Sequence, residues 1–157
     1  PQHRRRTHGA LMAGETIVVF GTPKTLEANG GAIANNAVVQ ADDATYDQVS
    51  DGAGFMYADF VLGFTYATAP TEGAVLALYA RPLDIDGTND AEVPEAARPT
   101  MFIGSFVVNN VTTAQYAQLI ERQVPKLASY YIHNSATGQT VSAGWTLKVT
   151  PRSYKAA

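Results

Sequence analysis

Trp145-Thr146-Leu147-Lys148-Val149-Thr150 alternates apolar and polar side chains without a break. Trp145, Leu147 and Val149 point one way and Thr146, Lys148 and Thr150 the other, the two-residue period of a strand with one buried face. Trp145 shares the phase of Leu147 and Val149, which assigns its indole to the core. Upstream, Ala128 to Asn134 is another strand, joined to this one by the Gly- and Ser-containing stretch 135–144.

The same period recurs toward the N-terminus. From Phe55 to Thr68 the even positions Met56, Ala58, Phe60, Leu62, Phe64 and Tyr66 are apolar, while Asp59, Gly63 and Thr65 fall among the odd ones. The spacing predicts one long half-buried strand, with Gly63 as a bulge or bend. Ala69-Pro70-Thr71-Glu72-Gly73 reads as a turn and Ala74 to Arg81 as a return strand, a hairpin pattern. Thr100 to Asn109 is a further strand, with Phe102, Phe106 and Val108 on one face. Residues 112–121 suit either a short helix capped by Thr112 or a strand.

Near the start, Glu15 to Phe20 is β-rich and closed by Gly21-Thr22-Pro23. Residues 29–36 read as a loop leading to a weak strand near 37–40. Residues 42–54 are acidic and turn-prone, with one helical turn expected at 45–49. About eight short strands between turn signals place the chain in the all-β class, as a single antiparallel β-sandwich, the jelly roll being one arrangement of it. The expected division is an extended N-terminal arm over residues 1–13 and the sandwich domain over 14–157.

At 157 residues the chain can build one proper core but not two ordinary domains. Charged residues make up 16%, below the usual quarter, so the surface is polar but largely uncharged and desolvates cheaply against neighbours. The net charge of −3 gives no global field for nucleic acid. Positive charge is local, in His3, Arg4, Arg5, Arg6 and His8, and an acidic protein patch is favoured over phosphate as its partner. Such a terminus is expected to be tied down by a neighbouring subunit. Cysteine is absent, which removes disulfides, thiolate chemistry and cysteine-held metals. No apolar run reaches the roughly 20 residues of a membrane span, and Leu11-Met12-Ala13 is too short for a signal-peptide core. Pro1 fits removal of an initiating methionine from a cytoplasmically made protein.

The long stretch 82–99 carries Asp84, Asp86, Asn89 and Asp90 at spacings that suit calcium. Glu95 stands eleven residues after Asp84, as the last ligand of an EF-hand would, but Gly87 is fourth rather than sixth and prolines flank the run. A solvated turn bonding its own backbone is the competing reading. His3 and His8 lie in the arm, and His133 reads as a hydrogen-bonded edge residue. No nucleophile elbow, phosphate loop or dinucleotide fingerprint occurs. No catalytic residue, metal site or cofactor is assigned. The eight tyrosines suit a sugar or protein contact face, with half or more expected in the core or at its edge.

The arm, the long Pro/Asp/Asn stretch and the closing segment Tyr131-Ile-His-Asn-Ser-Ala-Thr-Gly-Gln-Thr-Val-Ser-Ala-Gly-Trp-Thr-Leu-Lys-Val-Thr-Pro151 carry a resemblance. In layout the chain resembles the small virion structural proteins of tailed bacteriophages, capsid decoration (cement) proteins above all. The resemblance implies a non-enzymatic protein, made in the host cytoplasm and carried on the capsid surface of the virion. Its implied partners are the major capsid protein or another virion protein and further copies of itself, as a dimer or trimer, with no membrane and no nucleic acid. Arg4, Arg5 and Arg6 would make the arm's contacts, and Asp84, Asp86, Asn89 and Asp90 those of the loop. Two other readings stand beside it: a phage tail or adaptor component, and a carbohydrate-binding β-sandwich.

Overall fold

The computed structural model describes residues 16–86, 91–97 and 101–156. Nine strands follow one another: β1 (Thr16–Phe20), β2 (Lys24–Gly30), β3 (Val38–Asp47), β4 (Tyr57–Phe64), β5 (Val75–Pro82), β6 (Met101–Val107), β7 (Gln115–Gln123), β8 (Leu127–Ser135) and β9 (Trp145–Ala156). They form two antiparallel sheets packed as a sandwich. One runs β1-β9-β4-β7, with β2 also on β9, and the other runs β3-β8-β5-β6.

The predicted inside/outside pattern of β9 holds. Trp145, Leu147 and Val149 are buried between the sheets and Lys148 is exposed. They meet Phe60 and Leu62 of β4, Leu76 and Leu78 of β5 and Tyr130 and Ile132 of β8 in one contiguous core. Burying such apolar surface, at roughly 25 cal/mol per Å², is what holds two sheets face to face.

β9 also explains why one edge of its sheet comes in two pieces. β2 pairs with Trp145 to Val149 and β1 with Arg152 to Ala156, so the two lie end to end along β9. The gap between them faces Pro151. Pro151 accepts a 2.8 Å hydrogen bond from the Gly21 N–H, so its polar backbone side is turned toward the gap. Having no N–H to give, it leaves the opposite strand nothing to continue on.

Several local expectations are corrected. The segments around β4 and β5 are not a hairpin: β4 pairs with β7 and β9, β5 with β6 and β8, and residues 65–74 cross between sheets. Alternation shows that a strand has a buried face but not which strand lies beside it. Residues 112–121 supply β7, a strand rather than a helix. The acidic stretch is largely strand too, since β3 runs through Asp42, Asp43 and Thr45 to Asp47. Lys24–Gly30, unmarked by any alternation, is β2. Phe102 does not share a face with Phe106 and Val108. A register shift between Leu78 and Tyr79 sets an extra residue in β6 and turns Phe102 outward.

Five of the eight tyrosines are buried: Tyr46, Tyr66, Tyr79, Tyr130 and Tyr131. Burial pushes the Tyr46 phenol up to about 12, with Asp51 and Asp47 adding to it. Burial also raises Tyr130, with Tyr46 contributing. A phenol that holds its proton longer when folded gives its full stabilisation below the unfolded pKa near 10. That stabilisation is lost as pH rises toward 12. Alkaline titration should therefore show stability falling across that window, with ionisation of the buried tyrosines and loss of β circular dichroism rising together after the exposed ones have titrated. Ionisation of all eight tyrosines from pH 10 with the fold intact would refute it.

Candidate interaction surface

The residues singled out from sequence separate. Arg4, Arg5, Arg6, Asn89 and Asp90 lie outside the described residues. Asp84, just past β5, accepts a 2.6 Å hydrogen bond from the Lys126 ammonium, which its carboxylate holds above the ordinary lysine value. Leu83 N–H bonds the Leu127 carbonyl beside it at 3.0 Å. Asp84 thus faces a lysine and pins the start of the excursion to β8. Asp86 is exposed. Farther along, Arg81 Nε donates to the Ala91 carbonyl at 2.7 Å, a second tether.

The acidic group that converges is Glu27, Asp42 and Asp43, whose carboxylate oxygens lie within 4.8 Å of one another. Sequence spacing gives no hint of it, because β2 and β3 meet only at the corner between the sheets. Backbone geometry accounts for the group. β2 and β3 both lose register here, and the carboxylates take up N–H groups around the corner. Glu27 accepts from Asn29 at 3.0 Å and Asp42 at 3.2 Å, and Asp43 from Ala28 at 2.6 Å.

Exposed apolar side chains mark two other places. At the β6–β7 corner an open groove of about 460 Å³ is lined by Val107, Asn109, Val111, Thr113, Gln115 and Tyr116. Buried Gln115 shapes it by accepting from Asn109 N–H at 2.8 Å and donating to the carbonyls of Asn109 and Val111. Tyr116 is 73% exposed, yet its ring lies against Gly63, where a Cβ would come within 3.1 Å of Cε1. Gly63 is thus a site of close approach, not a break in β4. The result is an aromatic ring seated against the backbone of β4 and otherwise in solvent.

The second place is the outer face where β1 meets β9. Val18 pairs with Tyr154 and Phe20 with Arg152, and Val18, Phe20 and Tyr154 are 41%, 56% and 40% exposed. The Arg152 guanidinium is 5.6 Å from the ring centroids of both Phe20 and Tyr154. Its Nη1 lies 3.4 and 3.5 Å from the two oxygens of Asp59, and Nη2 is 4.0 Å from Glu121. A hydrogen bond to Glu121 leads the causes that raise the Tyr154 phenol. Beyond Arg152, β9 has lost β4 and pairs with β1 alone. The chain's described ends therefore form a two-stranded ribbon, an arrangement marginally stable by itself.

On the other sheet, Tyr79 lies 5.7 Å from Phe102 and 6.3 Å from His133, centroid to centroid. Tyr131 donates to Gln40 at 2.9 Å. Burial holds the His133 imidazole below its ordinary value. The sequence reads His133 as a hydrogen-bonded edge residue, but it stands on β8, an inner strand between β3 and β5, with its ring tilted against Tyr79.

No family model matches this chain, and no curated protein matches it in sequence. Among solved structures, it is similar to a chain in the structure of infectious bursal disease virus Gx strain, with 15% identity and a TM-score of 0.44. The match covers 92% of this chain and spans 37% of the length of the other.

Proposed function

We propose that this chain is a non-enzymatic structural subunit of a virion, a jelly-roll sandwich that works by binding other subunits. Our finer reading is a decoration protein on the outer surface of a phage capsid. The observation that carries it is the β1–β9 ribbon, whose exposed Val18, Phe20 and Tyr154 offer protein-contact chemistry rather than a reaction centre. Strand pairing supports the same reading. β2 with β9, β3 with β8, β4 with β7 and β5 with β6 describe one long antiparallel ribbon folded over on itself. That is the winding of a jelly roll, an architecture shared by capsid and lectin domains. A surface of low charge and the basic arm fit a protein that spreads over neighbours.

Co-sedimentation with phage heads lacking the protein tests this. Saturable binding at a stoichiometry set by the shell lattice is expected. Binding at a few copies per particle would make it a tail or adaptor component instead. Seated, exposed Tyr116 favours a second reading as a carbohydrate-binding module. Absence of shell binding together with glycan binding lost in Tyr116→Ala would establish that one and overturn the first.

A further inference from the structure

We infer that β1 is the seam of a two-fold dimer, pairing antiparallel with β1 of a second copy and joining two sheets into one. The inference refines the subunit reading above by naming a surface and an occupant. Sheet edges in monomeric proteins are normally blunted by charge, proline or bulges. Here the other edge strands carry such devices. β2 and β3 lose register, β6 has an extra residue, and β7 is irregular beside Glu121, whose φ is 55°. β1, Thr-Ile-Val-Val-Phe, has neither charge nor proline, and its pairing with β9 is regular throughout. Among the described residues it pairs with β9 alone, so its other side is open.

A second copy fits that side. With Val18 on the two-fold axis, Thr16 of each chain stands opposite Phe20 of the other. Tyr154 and Val18 of both copies then form one apolar row across the seam, extending a strip each chain exposes by itself. No charged residue lies at the seam, so like charges do not face each other.

Charge and chain length point to the same occupant. Residues 1–15 hold three of the eleven cationic residues and one of the fourteen acidic ones, a net of +2, leaving residues 16–157 at −5. In the antiparallel pair, the N-terminal end of β1 points past Phe20 of the second copy toward its β2, on the side of the acidic corner of Asp42 and Asp43. Arg6 lies ten residues before Thr16, an extended reach of about 33 Å. Glu27 lies seven residues past Phe20, about 23 Å. The length of chain before Thr16 is therefore enough for Arg4, Arg5 and Arg6 of one copy to meet the acidic corner of the other.

Sedimentation velocity of the full chain should show a dimer. Val18→Lys should weaken it at least about hundredfold, because two ammonium groups then meet at the axis. R4E/R5E/R6E should weaken it about tenfold and flatten its salt dependence. Because the chain has no cysteine, a crosslink reports the register directly. Paired residues on an antiparallel axis have Cα atoms about 4.5–5.5 Å apart, within disulfide range. Val18→Cys should therefore oxidise to a covalent dimer, and Phe20→Cys, displaced from the axis, should not. A monomeric wild type, a folded and still dimeric Val18→Lys, or equal crosslinking by the two cysteine variants would overturn the seam. A monomer that still binds phage heads would overturn it while leaving the shell-binding function intact.

Discussion

Trp145→Ala should lower the unfolding free energy by about 3–5 kcal/mol, the range for removing a large buried aromatic. The indole is 1% exposed and central to the contact between the sheets. Its Nε1 donates to the Gly31 carbonyl at 2.7 Å, so truncation also removes a hydrogen bond that ties the β2–β3 connection to the core. The ring lies directly on Gly30, where a Cβ would stand 2.1 Å from Cε2. That contact yields a sharper test than one truncation. Gly30→Ala should destabilise strongly in the wild type, since neither the backbone of β2 nor an indole held at both ends can give way. In the Trp145→Ala background the same substitution should cost much less, because the cavity accepts the methyl group. Urea denaturation followed by far-ultraviolet circular dichroism measures all three, since the two variants without Trp145 lose the chain's one tryptophan signal. Strict additivity, or a wild-type midpoint for Trp145→Ala, would show that the indole is not wedged between β2 and the core.

How much of this could be seen beforehand depends on what kind of information each element carries. Trp145, Leu147 and Val149 declare their buried face because side-chain period is a local property, and β4 and β9 are legible for that reason, whereas β5 and β8, buried on both faces, are legible only as apolar runs between turns. Pairing is not local. Nothing in Phe60 or Leu78 says that the first lies beside Val149 and the second beside Ile132, so the sandwich was readable and the β4–β5 connection was misread as a hairpin. β2 was hidden because Glu27, Asn29 and Gly30 break its pattern, and all three are explained only by the fold. Glu27 serves the corner backbone, and Gly30 makes room for an indole 115 residues away in sequence. The candidate surface shows the same division. Asp84 and Asp86 stood out as a cluster, yet Asp84 is committed to Lys126. Val18 and Phe20 drew no notice beyond their strand, because exposure of an apolar side chain becomes visible only when the strand is found at an open edge.

Asn134→Leu should cost about 2–4 kcal/mol through lost hydrogen bonds, although leucine has the same branched side-chain shape. Asn134 is fully buried on β8. Its Nδ2 donates to the carbonyls of Ile33 at 3.0 Å and Gln139 at 2.7 Å, and its Oδ1 accepts from the Thr137 hydroxyl at 2.6 Å. One amide thus fastens the β2–β3 connection and the β8–β9 loop to the same strand, where Ile33 and Val141 also exchange backbone bonds at 3.0 and 2.9 Å. Leucine would remove all three of these hydrogen bonds, each contributing about 0.5–1.5 kcal/mol, while the Ile33 carbonyl keeps the Val141 N–H and the Gln139 carbonyl keeps the Thr137 hydroxyl. Asn134→Asp separates this hydrogen-bonding role from packing. An ionised carboxylate would face two carbonyl oxygens with no proton to offer, whereas the acid form could donate to one of them. Its folded pKa should therefore lie above the ordinary value near 4. Stability should be greatest below that value and should fall as pH rises through the folded pKa. Denaturation midpoints at pH 4 and pH 7 should diverge for Asn134→Asp and not for Asn134→Leu, each relative to wild type. Equal midpoints for the two variants at both pH values would mean that the side chain merely fills space.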